Sequence, residues 1–134
     1  MSIFDEYGLA KAKAICYSGF RDGQHPGGIS PSYDEVKEDL LILQNNWKYL
    51  RLYDCDQHAE TVLQVICNEE LDFKIMQGAF IEAEMNNFGC PWGGGVYTEE
   101  QLEKNQHSNL RKIHKLIELA NKYPAIIFSL SVGM

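Results

Sequence analysis

Short apolar stretches typical of strands alternate along the whole chain with longer segments whose apolar residues have helical spacing. Four strand candidates cover residues 14–18, 49–53, 73–77 and 125–133, and three helix candidates separate them. Strands joined through helices are parallel, because each crossover returns the chain to the same end of the sheet. The sequence therefore predicts a single α/β domain over residues 1–134, with four parallel strands and three connecting helices.

Capping residues indicate where the helices begin. Ser32 and Glu35 have the S-x-x-E spacing of a capping box, in which each side chain pairs with the other residue's backbone N–H. Thr98 and Gln101 repeat that spacing before the last helix. Asp56 is placed to cap the middle helix, since a short acidic side chain can accept a bond from the first turn. These signals predict ordered helix starts at three places.

Two architectures are compatible with this alternation of strands and helices: an open doubly wound sheet and part of a (β/α)8 barrel. In the second strand, Leu50 and Leu52 share one face, whereas Arg51 and Tyr53 share the other. A doubly wound sheet is covered by helices on both sides and is usually apolar on both. The polar face favours a partial TIM barrel built from strands one to four.

The fourth strand has the same two-sided character. Apolar residues occupy one face: Ile126, Phe128, Leu130 and Val132. Small residues occupy the other: Ser129, Ser131 and Gly133. We expect the small residues to face the barrel interior together with Arg51 and Tyr53. Barrel enzymes place catalytic groups at the carboxyl ends of strands, and this sequence stops at Met134, just before the next position on the small-residue face.

Charge and hydropathy exclude several kinds of partner. The net charge is −7 and no cluster of basic residues is present, so we expect no binding to nucleic acid or to anionic membranes. No apolar run reaches the roughly 18 residues that a membrane span needs. The acidic amino terminus lacks the pattern of a secretory signal. We therefore expect a cytoplasmic chain by default, although a longer parent protein could be exported.

Neither a metal site nor a cofactor is expected. The four cysteines are far apart and form no C-x-x-C pair, whereas metal-binding cysteines usually come in close pairs. The three glycines of residues 93–95 are not followed by the Lys of a phosphate-binding loop.

Three short motifs lie at the carboxyl ends of the first, second and fourth predicted strands. They are C-Y-S-G-F at residues 16–20, R-L-Y-D at residues 51–54 and S-L-S-V-G at residues 129–133. Together they resemble the ends of strands one, two and four in glycoside hydrolase family 17. The resemblance is greatest to bacterial members related to β-1,3-glucanases, and it extends over nearly the whole chain from Ala14. It implies the amino-terminal half of a barrel that acts on laminarin-type glucan.

The resemblance also implies a retaining mechanism with two glutamates, one as general acid and one as nucleophile. In the family the fourth strand ends V-G-N-E, and its Glu is the general acid. Val132 and Gly133 match here, Met134 stands in the place of Asn, and neither catalytic Glu is in the sequence. We therefore assign no catalytic residue and expect this fragment, as given, not to hydrolyse glycans.

The positions that match the family's glucan cleft are rich in aromatic and polar side chains, which suit sugar faces and hydroxyls. They are Tyr17, Phe20, Arg21, Arg51, Tyr53, Asp54, Gln77 and Trp92. Other roles stay open: the tyrosines as interior aromatics, Asp54 as a loop cap or as the partner of Arg51, and Trp92 as a loop anchor. His25 and His58 lie on predicted strand-to-helix loops at the same mouth.

Two other functions stay open. One is a non-catalytic carbohydrate-binding or interaction module that uses the same mouth residues. The other is a small doubly wound domain that binds a ligand at its strand ends. Half a barrel also leaves the outer edges of strands one and four unpaired, and such edges pair with other chains, so we expect self-association.

Overall fold

Four parallel strands form one sheet whose spatial order follows the chain order. The computed structural model describes residues 3–89 and 95–133. The elements, in chain order, are α1 (Ile3–Glu6), β1 (Ala14–Cys16), α2 (Tyr33–Leu43), β2 (Tyr49–Leu52), α3 (Gln57–Asn68), β3 (Lys74–Ala79), α4 (Glu99–Lys122) and β4 (Ile127–Val132). The short helix α1 is the one element that the sequence patterns did not predict.

The strand order β1-β2-β3-β4 decides between the two architectures. All three pairings are parallel, and right-handed crossovers between successive neighbours place the three connecting helices on the same face of the sheet. A doubly wound sheet would instead reverse its strand order at a switch point. The chain is therefore part of a (β/α)8 barrel, with strands one to four and three connecting helices.

The predicted cap residues all act as caps. Ser32 Oγ accepts from the Glu35 N–H at 3.2 Å, and the Glu35 carboxylate accepts from the Ser32 N–H at 2.8 Å. Thr98 and Gln101 form the same reciprocal pair at the start of α4, and Asp56 caps α3. Among the residues that the structure describes, no helix is long and apolar enough to cross a membrane.

The hydrophobic core lies between the helices and one face of the sheet. Leu50 and Leu52 of β2 are 1% and 2% exposed, as expected for the apolar face of that strand. They pack with residues of the neighbouring strand and helices: Val36, Leu40, Val62, Leu63, Ile66 and Ile75. Burying one such side chain contributes about 1.5–3 kcal/mol, so this packing fixes which face of the sheet the helices cover.

The opposite, concave face carries a row of side chains at one level across the four strands. Cys16 pairs with Arg51, Arg51 with Met76, and Met76 with Ser129. Partners in a parallel ladder project to the same side. The prediction that Arg51 and Ser129 face away from the helices is therefore confirmed.

A bulge in β4 corrects the predicted face of Phe128. Ile127 pairs with Ile75, but Ser129 pairs with the very next residue of β3, so Phe128 is the extra residue. Its ring packs against Tyr49 on the concave side, with centroids 5.4 Å apart. Simple alternation predicts Phe128 on the helix-facing side with the other apolar residues. An inserted residue reverses that parity, and it is visible only in the pairing with β3.

The apolar face of β4 stays largely uncovered. Leu130 and Val132 pair with Gln77 and Ala79, which places them on the side of the helices. They are nevertheless 45% and 59% exposed, because α4 packs over β3 and reaches little of β4. Among the described residues, β4 pairs only with β3 and β1 only with β2.

Candidate functional site

A cavity of about 330 Å³ opens at the carboxyl ends of β1, β2 and β3. This is the edge at which barrel enzymes place their sites. The side chains around the cavity are mainly aromatic, with two carboxylates at its border. The aromatic residues are Tyr17, Phe20, Tyr53 and Phe80, and the carboxylates are Asp54 and Asp56.

The two tyrosines of the cavity differ in exposure. Tyr17 is buried, and its hydroxyl donates to Asp39 Oδ2 at 2.8 Å. Burial and this bond to a carboxylate both raise the pKa of Tyr17. Tyr53 is 49% exposed and Phe80 is 42% exposed, so both can offer a ring face to a ligand. Tyr17 therefore forms the inner wall, while Tyr53 and Phe80 form the open part.

Arg51 contacts the cavity through Tyr53 rather than directly. Its guanidinium carbon lies 5.4 Å from the centre of the Tyr53 ring, which is a cation–π distance. A side-chain bond with Cys16 is the largest cause that raises the pKa of Tyr53. The ion pair between Arg51 and Asp54 that the sequence left open is not formed, because the Asp54 carboxylate pairs with Lys112.

Asp54 joins the end of β2 to the start of the following loop. Its Oδ2 lies 3.3 Å from Lys112 Nζ, and its Oδ1 accepts from the N–H groups of Cys55 and Phe80 at 2.9 and 3.1 Å. Lys112 also donates to the Phe80 carbonyl oxygen at 2.9 Å. Both carboxylate oxygens of Asp54 are thus engaged in structural contacts. Asp54 therefore caps the loop, as one of the alternatives had it, and is not a free acid or base.

Asp56 is engaged in a similar way. Its Oδ1 accepts from the Ala59 N–H at 2.9 Å and so caps α3. Burial is the largest cause that raises its pKa. Neither carboxylate at the cavity border is therefore free of structural hydrogen bonds.

Besides Arg51, two of the residues predicted to contact substrate, Gln77 and Arg21, do not line the cavity. Gln77 is fully buried rather than at the mouth, and its amide donates to the Asp54 carbonyl oxygen at 2.9 Å. The Arg21 guanidinium lies 3.2 Å from the Asp39 carboxylate, over α2. Trp92 lies outside the described residues. Gln77 and Arg21 project to other parts of the fold because neighbouring elements hold their polar ends there.

The structure adds residues that the motifs did not identify. Phe80 directly follows β3, as Tyr53 follows β2, so an aromatic residue at a strand end was the available signal. His58 was expected on a loop, but it is the second residue of α3 and only 4% exposed. The cap at Asp56 was the signal for its position, because the residues after a cap belong to the first helical turn.

The loop after β3 is fastened to α4 by side-chain amides. Asn109, which is 2% exposed, accepts from the Glu82 N–H and donates to the Glu82 carbonyl oxygen and to Glu84 Oε1, each at 2.9 Å. One turn earlier, Asn105 donates to the Ala83 carbonyl oxygen at 2.8 Å. These bonds hold the segment that follows Phe80 and therefore support that side of the cavity.

No family model and no curated protein matches this sequence. Among solved structures, the chain is similar to an endo-laminarinase from Formosa Hel1_33_131, with a TM-score of 0.69 and 26% sequence identity. The superposition covers 99% of this chain and 33% of that chain. The chain thus spans about a third of that enzyme's length. The chain is therefore similar in structure to part of a glycoside hydrolase.

Proposed function

We propose that this chain forms the β1–β3 side of the substrate cleft of a family 17 glycoside hydrolase, and that residues 1–134 bind laminarin-type β-1,3-glucan without cleaving it. The observation that carries the proposal is the aromatic cavity at the carboxyl ends of the strands. The likeness to an endo-laminarinase supports the choice of glucan.

The chemistry of the cavity suits a sugar. The C–H face of a pyranose ring packs on an aromatic ring, and Tyr53 and Phe80 each present such a surface. The Tyr53 hydroxyl can hydrogen-bond sugar hydroxyls at the edge of that contact. The cavity volume lies within the range of about 300–1,000 Å³ that is usual for ligand sites.

The carboxylates of the described cavity support binding rather than hydrolysis. A retaining glycosidase needs two carboxyl groups about 5–5.5 Å apart, one to protonate the leaving oxygen and one to attack the sugar. Asp54 is paired with Lys112 and Asp56 caps α3, so neither is available for these roles. In a longer protein, the family's mechanism would require two glutamates that this sequence does not contain.

Isothermal titration with laminari-oligosaccharides tests this proposal. We expect binding by the wild-type chain, and a loss of about two- to twelvefold in affinity for Tyr53→Ala or Phe80→Ala, since an aromatic contact is worth roughly 0.5–1.5 kcal/mol. Lys104→Ala is the control, because Lys104 lies in an exposed ion pair with Glu100 on α4 and does not line the cavity, and it should bind as the wild type does. If no heat is measured at millimolar ligand, the proposal of glucan binding is refuted. If reducing sugar is released, the proposal that the chain does not cleave glucan is refuted.

The exposed apolar rim of β4 favours a second proposal, that the chain is an interaction module which pairs with a second copy of itself. Leu130 and Val132 are exposed beside a strand edge that no described residue covers. Such an edge can pair with another strand. Light scattering after size exclusion should show a fraction of dimer that increases with protein concentration. The substitution Leu130→Lys should lower that fraction. Ile42→Lys, on the exposed side of α2, is the matched control, and a monomer at every concentration would refute this proposal.

A further inference from the structure

The buried imidazole of His58 connects α3 to the loop that follows β1. His58 is 4% exposed, and its ring lies against Tyr17 and Phe20, with centroids 5.4 and 4.9 Å away. Its Nε2 is 3.0 Å from the backbone N–H of Gly19. A backbone N–H can only donate, so Nε2 must carry a lone pair. The neutral ring therefore holds its proton on Nδ1.

We propose that His58 is a positioning residue for the glucan cleft: in its neutral Nδ1–H tautomer it holds Gly19 and Phe20 against the cavity, and protonation frees this wall and weakens ligand binding. This inference rests on the proposed function and adds its regulation by pH.

The β1–α2 loop (residues 17–32) supplies one wall of the cavity through Phe20 and Pro26. Its first part is attached to two different elements. Tyr17 and Arg21 bond to Asp39 of α2, whereas Gly19 bonds to His58 of α3. The bond from Gly19 lies directly beside Phe20, so this bond sets the distance of the Phe20 ring from the rest of the cavity.

Gly19 also shows how closely the loop is packed at this point. A Cβ atom added there would lie 2.3 Å from the Tyr17 hydroxyl, which is closer than real contacts allow. A residue with a side chain would therefore not fit at this position while Tyr17 stays in place. Loss of the His58 acceptor would leave the Gly19 N–H unpaired in a buried position, which destabilises the closed loop.

Protonation would remove that acceptor. In the imidazolium both ring nitrogens carry hydrogens, so an Nε2–H would face the Gly19 N–H, and two donors cannot bond. His58 Nδ1 is buried without a hydrogen-bond partner among the described residues. The loop must therefore move before the charged ring can be solvated.

The charged and titratable groups around His58 come from the elements packed against it. They are Asp56 at the start of α3, Asp39 on α2 with its partner Arg21, and the Tyr17 hydroxyl at the end of β1. Burial is the largest effect and lowers the pKa of His58, while Asp56 and Asp39 raise it by smaller amounts. The ring is therefore neutral at pH 7. It becomes protonated only at a pH below the ordinary histidine pKa of about 6.5.

Nitrogen-15 NMR of the histidine side chains tests the tautomer without any ligand. At pH 7.5 we expect His58 to show a protonated Nδ1 and an unprotonated Nε2. Exchange of the Gly19 amide, corrected for its intrinsic rate, should become faster at pH 5.0. A protonated Nε2 at pH 7.5, or equal protection of Gly19 at both pH values, would overturn the inference.

The binding test uses two substitutions at the same site. His58→Gln can offer an oxygen to Gly19 but does not titrate, and His58→Leu offers no acceptor. We expect the wild type to lose at least about fivefold in affinity for laminari-oligosaccharides from pH 7.5 to 5.0. His58→Gln should change by less than about twofold, and His58→Leu should bind weakly at both pH values.

The exposed helix residue His107 supplies the control, since His107→Gln should keep the pH dependence of the wild type. A His58→Gln variant with the same loss of affinity as the wild type would refute the role of His58. If the wild type binds no glucan at pH 7.5, the proposed function fails, and the tautomer and the Gly19 exchange still decide the positioning role by themselves.

Discussion

The two loops that border the cavity are fastened to the barrel by different chemistry. The β1–α2 loop is joined to α3 by one imidazole, that of His58. The β3–α4 loop (residues 80–98) is joined to α4 by the amides of Asn105 and Asn109, and Asn86 adds a reciprocal pair with the backbone of Tyr97. An amide does not change its protonation near neutral pH. One side of the cavity can therefore respond to acid while the other stays in place.

The largest effect that we expect comes from Asn109→Leu. This change leaves the backbone N–H and C=O of Glu82 without their partner at a partly buried site, at a cost of about 1–3 kcal/mol in the free energy of unfolding. The loss should be the same at pH 7.5 and 5.5. Urea unfolding at both values checks it, and Asn45→Ala, at an exposed amide, is the matched control. A loss that depends on pH would contradict the contrast between the loops.

The second effect is the pH dependence that His58 contributes. Burial lowers the pKa of His58 in the folded protein below its unfolded value, so the folded state binds fewer protons. Its contribution to stability is complete above about pH 6.5 and decreases as the pH falls, by at most about 1.4 kcal/mol per unit. The difference in unfolding free energy between the wild type and His58→Gln should shrink from pH 7.5 to 5.5.

That pH window separates His58 from the carboxylates with lowered pKa. Glu35 has its pKa lowered chiefly by the bond from the Ser32 N–H, and Glu69 by Lys37. Their contributions are lost only below the ordinary glutamate value of about 4.3. If the difference between wild type and His58→Gln is constant over the higher window, His58 does not titrate as proposed.

A smaller effect is expected at Lys112, which joins the β3–α4 loop to Asp54. Lys112→Met removes the ion pair with Asp54 and the bond to the Phe80 carbonyl oxygen. Because both charged side chains are about a quarter exposed, solvent screening limits the loss to about 1 kcal/mol. Lys104→Met, in an exposed pair with Glu100, should change the unfolding free energy by only a few tenths. Equal losses in the two variants would contradict the role of Lys112.

The smallest effect is expected at Arg21, on the outer side of the β1–α2 loop. Its guanidinium and its partner Asp39 are both partly exposed, so solvent screening should make Arg21→Ala the least destabilising of these substitutions in urea unfolding. The pH dependence of glucan affinity should also stay unchanged. A marked loss of affinity would mean that Arg21, rather than His58, holds this loop.

Local signals predicted most of the fold. The caps at Ser32, Asp56 and Thr98 depend on residues close in the chain, and the alternation in β2 depends on neighbours two apart. The predicted fold class was confirmed for the same reason, because the succession of strands and helices is itself local. The bulge at Phe128 was not predictable, since it exists only in the pairing of β4 with β3.

The site was predicted less completely than the fold. The motifs at the strand ends led to Tyr17, Phe20, Tyr53 and Asp54, which the structure brings together at one cavity. Whether they contact sugar stays a prediction. The position of Gln77 was wrong because its amide bonds to a carbonyl of the neighbouring β2 segment. The partner of Asp54 was likewise missed because Lys112 comes from a distant helix, and no spacing rule connects the two.

The contact between Tyr49 and Phe128 lies at the opposite, amino-terminal end of the strands. The Tyr49 hydroxyl also donates to the Ala10 carbonyl oxygen, which ties the preceding segment beneath the sheet. This aromatic contact therefore anchors the amino-terminal base of the concave face, at the end of the strands opposite the cavity.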